Sequence, residues 1–156
     1  MKKTLLLSFT LLLLLIYSIN AQEAIIIDHT CRNLSEIPES WIDSAKKNLF
    51  IAYGHTSHGS QLTTGMDALE SYFTNGLYNW SHTGDTTDLH LFEGSGYETG
   101  YLELDCGTSG WDDETREYLE SFPDCNVIIW SWCGQVNDVD LQSHYLDPMA
   151  QLESEY

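Results

Sequence analysis

The stretch that decides the fold reads Leu49-Phe50-Ile51-Ala52-Tyr53-Gly54-His55-Thr56-Ser57-His58-Gly59-Ser60. Its first five residues are apolar without alternation and stop on a glycine, the pattern of a strand covered on both faces, as parallel sheets require. After a small polar turn, Leu62, Met66, Leu69, Tyr72 and Phe73 recur at helical spacing as far as Asn75-Gly76, so the strand feeds an amphipathic helix. A second run, Val127-Ile128-Ile129-Trp130-Ser131-Trp132, closes on Cys133-Gly134. Ahead of it, Asp112 and Asp113 are placed to cap a helix that turns Tyr118, Leu119 and Phe122 inward until Pro123 ends it. Strand, helix, loop, helix, strand is the order of an α/β sheet with crossover helices.

Outward from this frame, Ile25 to Ile27 reads as a first strand or an extended lead-in, and Pro38 starts a helix carrying Trp41, Ile42 and Ala45 on one face. Leu77 to Gly110 is mostly loop, with Leu89 to Phe92 and Tyr101 to Leu104 as its two candidate strands. Asp147-Pro148 reads as the start of a last helix, with Met149, Leu152 and Tyr156 on one side. A crossover helix normally delivers the chain to another parallel strand, so the reading is of an α/β domain truncated at its C-terminus.

Lys2 and Lys3 precede an apolar run from Leu5 to Ile19, and Ile19-Asn20-Ala21 before Gln22 gives a small-residue cleavage site. Residues 1–21 therefore read as a secretory signal, leaving a domain over 22–156 that is secreted or periplasmic and keeps no membrane anchor after cleavage. The run is short against the about 20 residues of a bilayer span. With Lys2 and Lys3 removed, four basic residues face all twenty-four acidic ones, a formal charge of −20. Such a surface repels phosphate backbones and disfavours nucleic acid and anionic lipid as partners. Five Trp, nine Tyr and five Phe nevertheless give the chain enough apolar surface to fold. Cys31, Cys106, Cys125 and Cys133 allow three disulfide pairings and contain no C-x-x-C, which favours disulfides or buried thiols over a metal site.

In open α/β sheets the chemistry gathers at the carboxyl ends of the strands. One such end holds two Ser and two His between Gly54 and Ser60; the other, Trp132 to Asp138, carries carboxamides able to donate hydrogen bonds to an oxyanion. From Asn48 to Asp138 the layout resembles the SGNH, or GDSL-type, hydrolases. The resemblance implies a flavodoxin-like three-layer α/β/α sandwich and an esterase or carbohydrate deacetylase working through an acyl-enzyme, without a cofactor, on a small-molecule or carbohydrate ester. Ser57 stands where that family keeps its nucleophile, with Ser60 after Gly59 as the rival. Gly107 or Gly110 would be the backbone donor of the family's second block, and Asn137 or Gln135 the side-chain donor of its third. The family's Gly-Asp-Ser letters are replaced by Gly54-His55-Thr56-Ser57, and Asn137 falls one residue late. An Asp-x-x-His block for the base has no match in the chain, so the base is expected beyond Tyr156.

Two other classes compete. A non-catalytic carbohydrate- or protein-binding α/β domain would use exposed aromatics, with Trp80 and Tyr97 as contacts and Trp130 and Trp132 in the core. A metal-dependent hydrolase would use His55 and His58 with His29, His82, His90 and carboxylates, although H-x-x-H lacks the spacing of a helical zinc pair. The plainer roles are an N-cap for Ser57 or Thr56, a hydrogen-bonded turn histidine for His55, and exposed loop histidines for His82 and His90.

Overall fold

The computed structural model describes residues 26–83, 87–93, 102, 106–132 and 134–156, with Gln135 described by its backbone alone. Residues 1–21, read from the sequence as a secretory signal, together with Ile25, Tyr97, Cys133 and most of the 101–104 candidate strand, lie outside these residues. The chain divides into two units, Met1–Leu34 and Ser35–Tyr156. In the first, Ile26 and Ile27 are exposed and belong to no strand, and the Asp28 carboxylate accepts from the Thr30 hydroxyl at 2.7 Å and the Thr30 N–H at 2.8 Å.

The second unit is an α/β fold. Helix α1 (Glu39–Asn48) leads into β1 (Phe50–Gly54), and helix α2 (Ser60–Tyr72) follows after a single 3-10 turn at Ser57–Gly59. Strands β2 (Trp80–Ser81) and β3 (Leu89–Glu93), helix α3 (Trp111–Ser121) and strand β4 (Val127–Trp130) come next. A helical segment then passes through a π turn (Gln142–Leu146) into α4 (Asp147–Glu155). The four strands are parallel in the order β2-β3-β1-β4. From β1 the first crossover leads to one side and the second returns past β1 to the other, so the connections diverge between β1 and β4. At such a switch point the carboxyl ends open a crevice.

Strand alternation sorts the core into two layers. Ile51, Tyr53 and Leu91 face one way with Leu89, Val127 and Ile129, under Met66 of α2; Ala52 faces the other way with Ile128 and Trp130, under Tyr118 and Leu119 of α3. Helices thus cover both faces, as a fully buried parallel sheet demands.

Several boundaries differ from the sequence reading for identifiable reasons. Gly110, in the left-handed conformation at φ 86°, occupies the cap of α3, and Asp112 and Asp113 fall in the first turn, where negative charge suits the positive helix end. Asp147-Pro148 opens α4 as the sequence indicates, with the proline in its first turn, but the backbone ahead of it is already helical through the π turn. Proline has no N–H for the carbonyl four residues back; that carbonyl, on His144, instead accepts the Trp111 indole N–H at 3.0 Å. On α2, Met66 packs inward, whereas Leu62 and Tyr72 are exposed. Trp80, expected as a substrate contact, lies in β2 against the Ile51 layer and donates its indole N–H to Asp67 at 3.1 Å. His90 is no loop residue: it stands in β3, its ring stacked on Phe50 at 3.7 Å, and desolvation lowers its pKa.

Candidate active site

The β1 turn is short because the strand must hand the chain to α2 at once. Ser57 takes up the change of direction with φ 46°, the one non-glycine positive φ among the described residues. A non-glycine residue held left-handed costs about 1–3 kcal/mol and persists only where its surroundings over-determine it. Ser57 is exposed, ahead of the α2 N-terminus, with its carbonyl accepting from Ser60 Oγ at 2.8 Å. Ser60 thus spends its proton on the Ser57 backbone. Among the described residues no histidine is hydrogen-bonded to Ser57 Oγ.

Beneath the turn lies a polar assembly that the sequence reading did not contain. His55 is 8% exposed, and its Nε2 stands 2.8 Å from Glu93 Oε2 at the end of β3. A carboxylate only accepts, so the imidazole N–H is on Nε2; Nδ1 is buried with no partner among the described residues. His82 approaches the other Glu93 oxygen at 3.8 Å, and the Tyr53 ring stacks on His55 at 4.3 Å. Glu93 reaches this position because the register sets it beside Tyr53. No periodicity encodes that pairing, since it joins residues thirty-eight apart.

On the β4 side the edge is continued by backbone bonds: Ser131 N–H donates to the Gly54 carbonyl at 3.0 Å, and Cys106 N–H to the Ser131 carbonyl at 3.1 Å. This hangs Cys106-Gly107 on the same edge as the Ser57 turn. Gly107 has φ 57°, and its carbonyl accepts the Tyr145 hydroxyl at 2.7 Å. Gly110 caps α3. Gln135 and Asn137 lie in a 3-10 helix (Gln135–Asp138) entered through Gly134 at φ 104°; Asn137 is exposed, and Val136 packs on the Cys106, Trp111 and Tyr145 cluster. All of these segments follow or flank the ends of β1 and β4, but no hydrogen bond among the described residues joins Ser57 to Gly107, Gly110 or Asn137.

Next to this edge, β4, α3 and α4 enclose a cavity of about 690 Å³ walled by Trp111, Trp130, Trp132, Tyr145 and Met149 among others. Trp130 and Trp132 are half-buried here, with Trp132 stacked on Tyr145 at 5.2 Å. The wall's polar groups are turned inward: Trp130 donates to Thr115 Oγ1 at 2.9 Å, and Thr115 to the Trp111 carbonyl at 2.7 Å. Cys106 and Cys125 are buried thiols and Cys31 is an exposed one; desolvation raises the Cys125 pKa.

For the metal reading, His55 is turned to Glu93 while His58 is exposed, and no group of three or more His, Cys, Asp or Glu among the described residues could hold a metal ion. His144 Nδ1 bonds the Asp140 carbonyl at 2.9 Å. No described helix is long and apolar enough to cross a membrane.

Fold and site together define an α/β protein whose parallel sheet carries, at its carboxyl edge, a serine turn, glycine loops and a part-buried histidine–carboxylate pair. Compared with known protein families, curated proteins and solved structures, the chain finds no match in any of the three.

Proposed function

We propose that this chain is an exported serine hydrolase of the SGNH type, removing acyl or acetyl groups from a small-molecule or carbohydrate ester. The observation that carries the reading is the left-handed backbone of Ser57 at the switch-point end of β1. Strain of this kind collects where a side chain must be held out toward a reactant. Ser57 Oγ would attack the acyl carbon and pass its proton to a base, expelling the alcohol; water would then release the acid from the acyl-enzyme. Oxyanion charge would fall on N–H groups of Ser57 and of Gly107 or Gly110, and on the side chain of Asn137 or Gln135. The base is the histidine that the resemblance assigns to a separate Asp-x-x-His block.

The test is labelling of the natural full-length protein with a fluorophosphonate, which reacts only with an activated serine. Label should map to Ser57, vanish in Ser57→Ala and survive in Ser60→Ala. Label on Ser60, or none on the wild type, overturns the assignment.

A non-catalytic binding domain is the second reading, and the aromatic cavity favours it. With the indole N–H groups of Trp111 and Trp130 and the hydroxyls of Thr115 and Tyr145 bonded internally, that wall suits an apolar group better than a sugar.

A further inference from the structure

The left-handed backbone of Ser57 needs something to hold it, and its own exposed side chain does not. The neighbours on either side do. Downstream, Gly59 has no room for a side chain: a Cβ there would stand 2.6 Å from His55 Cβ, 3.0 Å from His55 Cγ and 2.8 Å from Ser131 Oγ. Its carbonyl accepts the Tyr53 hydroxyl at 3.1 Å, and its N–H donates to the Thr56 carbonyl at 2.8 Å. The exit of the turn is therefore pressed onto the root of the His55 side chain. Upstream, His55 is itself fixed, by the Tyr53 ring on its face and Glu93 at its Nε2.

We propose that His55 and Glu93 are positioning residues for Ser57: the carboxylate on β3 sets the imidazole, the imidazole props Gly59, and the prop keeps Ser57 left-handed. Glu93 Oε2 to His55 Nε2 fixes the ring, His55 Cβ and Cγ occupy the space that a side chain on Gly59 would need, and Gly59 is two residues from Ser57. The catalytic consequence rests on the reading of Ser57 as nucleophile, whereas the geometric claim stands apart from it.

The experiment compares wild type, Glu93→Ala, Glu93→Gln and Gly59→Ala in two readouts. Nuclear magnetic resonance reports the backbone angle of Ser57 through its HN–Hα coupling and carbon shifts, whatever its chemistry; fluorophosphonate labelling reports its reactivity. Glu93→Ala should abolish the left-handed signature and slow labelling about 10–100-fold, since small misplacements of a reacting group cost that much. Glu93→Gln keeps an oxygen to accept the His55 N–H and should restore both. Gly59→Ala, which strikes the same contact with Glu93 intact, should lose the signature as well and decides the matter if Glu93→Ala does not fold. An unchanged Ser57 signature in folded Glu93→Ala or in Gly59→Ala overturns the proposal, as does a Glu93→Gln variant no better than Glu93→Ala. A wild type that never labels, yet loses its signature in Glu93→Ala and regains it in Glu93→Gln, keeps the positioning pair and discards the hydrolase.

Discussion

On the β3 side of β1, the carboxyl edge of the sheet is held by directional contacts: His55 on Glu93, the Tyr53 hydroxyl on the Gly59 carbonyl, and a glycine with no space for a methyl group. On the β4 side, the same edge runs into tryptophan and tyrosine rings around a large apolar cavity. A hydrogen bond adds only about 1 kcal/mol net but fixes an angle; apolar burial fixes no angle but contributes most of the stability. Stability and site geometry are therefore assigned to different residues, and mutation can separate them.

The largest effect belongs to the apolar side. Tyr118, 2% exposed between α3 and the Ala52 layer, should lose about 3–5 kcal/mol on truncation to Ala, read from denaturant midpoints at unchanged slope. A loss under about 1 kcal/mol would mean that the aromatic layer does not carry the fold. Gly59→Ala comes next: the added methyl meets atoms close to the backbone and cannot be relieved by a rotamer change, so about 1–3 kcal/mol is expected. Its reactivity loss should exceed its stability rank, and equal losses would dissolve the distinction between the two sides.

A smaller effect tests whether polar groups matter within the apolar side. Thr115→Val removes the acceptor of the Trp130 indole N–H and the donor to the Trp111 carbonyl. Leaving a buried N–H unpaired should cost about 1–2 kcal/mol, and a stabilised variant would show that the bond contributes nothing. The smallest effect is a pH slope. Burial of His90 disfavours its protonated form and lowers its pKa from 6.5, so below pH 6.5 the unfolded chain binds more protons than the folded one. Stability should fall as pH drops from 6.5 through the lowered pKa and level off beneath it. His90→Gln should flatten that part of the curve; an identical slope in the variant would assign it to other groups.

The parts of the fold written as burial were legible. Phe50 to Gly54 and Val127 to Trp130 are continuous apolar runs because both faces of the sheet are covered, and the inward face of α3 follows from Tyr118, Leu119 and Phe122. What depended on one residue's backbone was not. A left-handed Gly110 displaced the aspartates as the cap, and Trp111 compensated Pro148 from a distant helix. Strand β2, two residues long, has too few positions for a period. At the site, the turn and its serines stood out by composition, whereas Glu93 entered only through the parallel register that sets it beside Tyr53.

The seating of Gly59 bears on how this sequence can drift. A side chain at position 59 has no rotamer that avoids His55 Cβ, and trimming His55 to make room would strand Glu93 without its partner. Apart from Gln at 93, which keeps the acceptor, positions 55, 59 and 93, with Ser131 on the far side of the glycine, are thus open to exchange as a group and closed to it singly. Among divergent copies of this gene, residues thirty-eight positions apart should change in the same lineages or not at all.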